Sequence, residues 1–253
     1  MLRTLTVMRE AIATGLDKNL RSHSGMSGGN AYRMKSLIDS GRIEDNVFNR
    51  TVVYALATAE TNACMGRIVA APTAGASGVL PAVLIAAAEI YGADDEKVVD
   101  ALFLTGEIGM RIAKEASLSG AECGCQAECG SAAAMAAAGM VFLMDGTPEQ
   151  QENAAALALK SLLGLVCDPV AGLVEVPCVK RNAICTSVAI TSANMSLAGI
   201  ESVIPFDEVA VAMKQIGRSM PSELKETAQG GCAATKTGVS IAQNLSTDDT
   251  LDA

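Results

Sequence analysis

An all-helical fold is what this sequence predicts, and three observations predict it. Apolar residues recur at helical spacing along most of the chain, and no stretch shows the strong period-2 alternation of a half-buried strand. Half of the 253 residues are hydrophobic, yet only 3% are aromatic and none is tryptophan, so small side chains must fill a sizeable core and helix backbones can approach closely. Four Gly-rich segments, 21–31, 71–80, 120–130 and 167–178, interrupt the helices. Loops carry function disproportionately, so a single helical domain spanning 1–253, with its special loops meeting at one end, is expected.

The elements follow in order. Residues 2–17 read as a helix, RSHSGMSGGNA (21–31) as a Ser/Gly loop, and 31–40 and 45–66 as two further helices. Two prolines and two glycines in APTAGASGVLPA (71–82) break the pattern, and helix resumes at 81–91 because proline suits a first helical turn. Helix is expected over 95–116. GAECGCQAECG (120–130) reads as a turn running into an Ala-rich helix that stops at Asp145 and Gly146. Thr147, Pro148 and Gln150 have the form of a capped N-terminus, opening a helix to about residue 163. In CDPVAGLVEVPC the prolines fix φ and Gly172 permits unusual angles, so the segment is a shaped loop, with residues 174–176 (VEV) the best short strand candidate. Helices at 181–198 and 206–218 complete the set. The Gly-, Thr- and Asp-rich tail after Gly230 is expected to be loose, and flexible beyond about 238.

Composition excludes several classes. The net charge is −9 and no basic stripe is present, the opposite of a nucleic-acid binder; acidity of this kind mostly favours solubility. Eight cysteines in a chain of this length do not make a secreted disulfide scaffold, and the N-terminus lacks the apolar core of a signal peptide. A cytoplasmic protein with reduced thiols is expected. No apolar run reaches membrane-spanning length; the nearest, 131–144, is stopped by Asp145 and Gly146.

The chemistry-bearing candidates lie in the loops. Cys167 and Cys178 bracket the Pro-clamped segment, and Cys125 sits in a Gly-flanked turn. Thiolates bind soft metals and iron–sulfur clusters, and three separated thiols could hold a cluster by three corners; free cysteines are equally at home as small buried hydrophobes. The spacing is not that of a zinc ribbon, which wants two CxxC pairs. Cys64, Cys123, Cys129, Cys185 and Cys232 read as packing, although Cys123 and Cys129 lie near Cys125 and Cys232 follows two glycines. His23, the one histidine, has the pKa range of a general base but also the setting of an ordinary exposed loop residue. Around it, Ser24, Gly25, Met26, Gly28, Gly29 and Asn30 offer the backbone of an anion nest. Thr73 precedes a helix N-terminus, where an anion pocket or a plain cap is equally open, and no GK[ST] follows to make a phosphate loop. Arg181 could clamp a carboxylate or lie solvated at a helix start.

Five segments in order, SGMSGGNA, NACMGRIVAAPTAGASGVLPAVL, GCQAECGSAAAMAAAGM, GLVCDPVAGLVEVPCVKRNA and LKETAQGGCAAT, resemble the alpha subunit of iron–sulfur-dependent L-serine dehydratases across nearly the whole chain. The resemblance implies an all-helical catalytic domain with Gly-rich loops converging on a [4Fe–4S] cluster, ligated by Cys125, Cys167 and Cys178. It implies a small amino acid as substrate, elimination of water to give pyruvate and ammonia, and an oligomer with a separate beta subunit. It places the substrate carboxylate against the 24–30 loop and Thr73, near Arg181, and leaves the base to His23 or the beta subunit. Cys129 stands where the family usually has Val, Cys232 where it has an apolar residue, and Cys123 where a small residue is common. Single-chain members can carry a C-terminal cysteine capping the open iron, whereas STDDTLDA has none. Pyridoxal chemistry is disfavoured because no lysine motif accompanies the Gly loops. The rival readings are an L-cysteine desulfidase of the same family, a non-catalytic iron–sulfur redox sensor, and a structural zinc protein.

Overall fold

The alanine-rich segment decides where the core sits. In the computed structural model, which describes residues 1–248, it forms a helix over Ser131–Leu143 in which every residue from 131 to 141 is buried. A helix apolar on all sides belongs inside, and four others surround this one. In chain order the helices are α1 (Leu2–Gly15), α2 (Asn30–Asp39), α3 (Val47–Ala63), α4 (Val79–Tyr91), α5 (Asp95–Glu115), α6 (Gly120–Cys123), the central α7 (Ser131–Leu143), α8 (Pro148–Ser161), α9 (Cys178–Leu197), α10 (Phe206–Ser219) and α11 (Lys236–Asp248). Around α7 pack α4, α5, α8 and α9; α3 lies against α9, α4, α1 and α2, and α10 closes over α5 and α8. The all-α class is as expected. Among the described residues there is no strand, only an isolated bridge between Cys167 and Lys225, and no helix long and apolar enough to cross a membrane.

Small residues set the spacing between helices. At Gly15 a Cβ would stand 1.9 Å from the carbonyl oxygen of Ala57, so α1 and α3 touch backbone to backbone. Helix starts are written in side chains. Asn46 accepts from the Asn49 N–H at 3.0 Å and Asp94 from the Lys97 N–H at 2.9 Å. Thr147 and Gln150 form the expected reciprocal box, with Thr147 Oγ1 accepting from Gln150 N and Gln150 Oε1 from Thr147 N.

Four departures from expectation bear on the site and the tail. The 120–130 turn is the short helix α6 followed by a π-helical turn, Gln126–Gly130, that runs straight into α7. Helix α9 starts at Cys178, three residues early, because Val179 N already bonds Glu175 O and Arg181 N bonds Pro177 O. Residues 174–176 form no strand: Val170 N bonds Val176 O at 2.8 Å, which closes the segment on itself as a tight turn. Where it is described, the tail holds a helix that the sequence did not announce: Thr235 Oγ1 accepts from Gly238 N and caps α11, which packs on the 170–172 turn. The rest of the tail expected to be flexible, 249–253, lies outside the described residues.

Candidate active site

Two segments bring three thiols to one cavity. Cys125 stands just ahead of the π-turn, whose next residue, Gln126, is wholly buried and fixes the turn on three sides. Its side chain donates to Cys123 O and Met213 O and accepts from Gly164 N. Cys167 is pinned by backbone: its N–H donates to Leu224 O and its carbonyl accepts from Glu226 N, so the 224–226 segment straps it down. Cys178 opens α9, where Asn182 donates to Cys178 O and to Gly75 O and accepts from Gly78 N. One asparagine thereby fastens the 71–78 loop to the Cys178 end of α9. Next to Cys167, Asp168 accepts from Cys232 N at 2.6 Å and pairs with Arg181 at 2.8 Å, off the axis of a straight hydrogen bond.

The cavity between these walls measures about 180 Å³ and is lined by Cys125, Cys167 and Cys178 together with Thr73, Glu128 and Glu226. Thr73 Oγ1 donates to Glu128 Oε1 at 2.8 Å, and Glu128 Oε2 is 3.7 Å from Cys167 Sγ. Gly120 is required here, because a Cβ would lie 2.6 Å from Glu128 Oε2 and 3.1 Å from Cys167 Sγ. A larger hollow of about 530 Å³, around Asp94, Lys97 and Asp145, contains no thiol and is bridged by the Lys97–Asp145 ion pair.

Burial and mutual repulsion shape the ionisation of the thiols. Burial, then the neighbouring Cys125 and Glu128, pushes the Cys167 thiol far above the usual range. Burial and Cys125 push Cys178 up to about 12 against the opposing pull of Arg181. A hydrogen bond from Cys129 holds Cys125 below its ordinary value. Burial raises the Glu128 carboxyl, with the Thr73 hydrogen bond acting the other way. Three buried sulfurs around one cavity, without a histidine, form a soft donor set in want of positive charge. Among the described residues no three His, Cys, Asp or Glu side chains converge on a single-ion site. A cluster that takes one thiolate at each of three corners needs thiols spaced around a cavity, and that is how these three stand, so the residues fit a [4Fe–4S] group.

The Ser/Gly loop is tied down by two buried carboxylates that sequence reading did not single out. Glu60 of α3 accepts from the N–H groups of Gly28, Asn30 and Ala31 and from the Asn30 side-chain amide. Glu175, between Cys167 and Cys178, accepts from Ser22 Oγ at 2.6 Å and Ser24 Oγ at 2.7 Å. The anion nest anticipated from the Ser/Gly sequence therefore embraces the chain's own Glu60. Of the other anticipated residues, Thr73 lines the cavity, Arg181 donates to Val166 O besides meeting Asp168, and exposed His23 is not on the cavity wall. Gly25 is exposed and Gly29 buried, while Met26 N donates to Ser24 Oγ. Glu128 had a readable signal, a carboxylate in a cysteine turn just before an alanine-rich helix. Glu60 and Glu175 had none, because their partners lie 29 to 32 and 151 to 153 residues away.

A family model described as "Serine dehydratase alpha chain" matches residues 1–233. The chain is 49% identical over 246 residues to a "Probable L-serine dehydratase, alpha chain" of Bacillus subtilis, covering 97% of this chain and 82% of that one. It is 45% identical over 242 residues to the "L-serine dehydratase, alpha chain" of Peptoniphilus asaccharolyticus, covering 95% and 83%. "L-serine dehydratase 1" of Escherichia coli is 41% identical over 204 residues, which is 79% of this chain and 45% of that longer protein.

Proposed function

We infer function from this premise: the chain belongs to the serine dehydratase alpha-chain family. Its activity is L-serine dehydration, an ammonia-lyase reaction. Serine loses its Cα proton and β-hydroxyl, and the resulting aminoacrylate tautomerises and hydrolyses to pyruvate and ammonia.

Cys125, Cys167 and Cys178 would hold a [4Fe–4S] cluster, leaving one corner without a thiolate from this chain. When bound, the cluster supplies a Lewis-acidic iron that stabilises the negative charge of a departing hydroxide. The remaining work belongs to the protein. Thr73 fixes Glu128 against the cavity wall, and Gly120 leaves room for that carboxylate beside Cys167. The substrate-side wall is assigned to the loop of Ser24, Gly25, Met26, Gly28, Gly29 and Asn30 together with Thr73 and Arg181; because Glu60 already takes the N–H groups of Gly28 and Asn30, those two anchor the loop, and the two carboxylates that grip it give the wall its shape. Proton abstraction from Cα is assigned to His23 or to a residue of a beta chain. A separate beta chain is the proposed partner, in a cytoplasmic hetero-oligomer. Its support is the alpha-chain naming of the relatives and the Escherichia coli relative, in which the matched region is under half of a longer protein.

The observation that carries the cofactor assignment is the meeting of the three thiols on one cavity. Anaerobically purified protein should contain iron and sulfide and show a cluster absorption band, and with the beta chain it should form pyruvate from L-serine. Turnover of L-cysteine in preference to L-serine would identify a desulfidase. Oxygen-sensitive partner binding without pyruvate would identify a sensor, and zinc in place of iron would end the cluster assignment.

A further inference from the structure

Glu175 is 5% exposed, and its two carboxylate oxygens are taken by two hydroxyls of one distant loop rather than by a cation. Burying a carboxylate is costly unless its oxygens are bonded, so the contact is a strong constraint on where those hydroxyls stand. The hydroxyls are themselves structural. Ser22 Oγ also accepts from Ser27 N at 3.1 Å, and Ser24 Oγ from Met26 N at 3.1 Å. Gly25 N closes the turn on Ser22 O at 3.0 Å. Each serine thus relays a backbone N–H of the 22–27 turn to one oxygen of a residue three positions before Cys178.

We propose that Glu175 is a positioning residue: through Ser22 and Ser24 it clamps the 22–27 turn to the cysteine loop, fixing the substrate-side wall relative to the thiols. This rests on the functional reading above but concerns a different contact. The second buried carboxylate supplies an internal control, because Glu60 holds Gly28, Asn30 and Ala31 independently of Glu175.

The test is amide hydrogen exchange on the full-length chain as purified anaerobically, with whatever metal it carries, comparing wild type with Glu175→Gln. Exchange at Gly25, Met26 and Ser27 should quicken by roughly tenfold, the scale of one weakened hydrogen bond to a charged group, while Gly28, Asn30 and Ala31 keep their protection. With the beta chain present, KM for L-serine should rise by about tenfold with a smaller change in kcat and an unchanged cluster spectrum. Ser24→Ala, at a half-buried position, should give the same local pattern more weakly; it also serves if Glu175→Gln does not fold. In a Glu175→Gln and Ser24→Ala cycle the two effects should be less than additive. Unchanged exchange at 25–27 in a folded variant, an equal rise across 28–31, or strict additivity would each overturn the clamp. Failure of the functional reading shows itself differently, as wild-type protein that binds no iron, and leaves the exchange result intact.

Discussion

At the scale of single residues, the proposed site rests on three sulfurs and on one missing methyl group. Removing a partner that merely orients a ligand commonly weakens metal sites roughly 10–100-fold, and losing a thiolate corner should cost more. Cys125→Ser, Cys167→Ser and Cys178→Ser should therefore each lose bound iron after anaerobic purification. Cys64→Ser, half-buried and not on the cavity wall, should keep the wild-type iron-to-protein ratio. Retention of iron by any of the first three would remove that residue from the ligand set. Gly120→Ala tests the space beside Glu128 and Cys167. Its Cβ would press on Glu128, which cannot swing away freely because it is buried and tethered to Thr73. Overpacking of this kind costs about 1–3 kcal/mol, so the variant should unfold at lower urea and bind less iron, and a wild-type midpoint would refute the crowding. The cysteines were legible because their type and their Pro- and Gly-marked loops announce them. The carboxylates Glu60 and Glu175 were not, because a buried acid is recognised only through partners that folding brings from far along the chain.

At the scale of elements, helices whose ends are written locally were legible and those fixed by tertiary contact were not. Thr147, Pro148 and Gln150 place the start of α8 within four residues of sequence, and Asp145–Gly146 end the alanine helix as the sequence suggests. Thr147→Ala should cost about 1 kcal/mol, read as a lower urea midpoint at constant m-value. An unchanged midpoint would mean the cap contributes nothing in this context. The VEV segment fails as a strand because no partner strand exists among the described residues and its backbone bonds fold back within the 170–176 loop. In the tail, two glycines and a run of Thr and Asp hide a cap at Thr235, and α11 gains its packing from a turn more than sixty residues upstream. Close helix approach has its own prediction. At Gly15 an added Cβ would overlap backbone atoms of Ala57, which cannot rotate aside. Gly15→Ala should therefore lose about 1–3 kcal/mol or more by forcing α1 off α3, and its denaturation midpoint should fall further than that of Thr147→Ala.

At the scale of the whole molecule, the site is assembled from α3, the turns before α4 and α7, the loop before α9 and the strap before α11, so it exists only when the fold is complete. A group bound by the native state alone stabilises that state by mass action, by about 2.7 kcal/mol when present at a hundred times its dissociation constant. For a chain of this size that corresponds to a rise in Tm of about 5–10 °C on cluster loading, absent from a variant lacking the three thiols. The rise should depend on pH, and its sign follows from the buried thiols. Folding raises the pKa of Cys178 to about 12 and that of Cys167 further, from an ordinary value of about 8.5, chiefly by burial. The empty fold therefore favours neutral thiols at Cys167 and Cys178, with Cys125, lowered by its hydrogen bond from Cys129, opposing them, and the stability those two lend it is intact below about pH 8.5 and lost as pH climbs toward the raised values. Ligation needs thiolates, so loading releases protons and becomes more favourable in the same direction. Proton release on ligation widens the gap in Tm between loaded and empty protein as pH rises from about 6 to 9, and the loss of empty-fold stability adds to it only above about pH 8.5. A gap that stays constant or narrows over that range, measured by calorimetry under anaerobic buffer, would show that the three thiols are not what holds the bound iron.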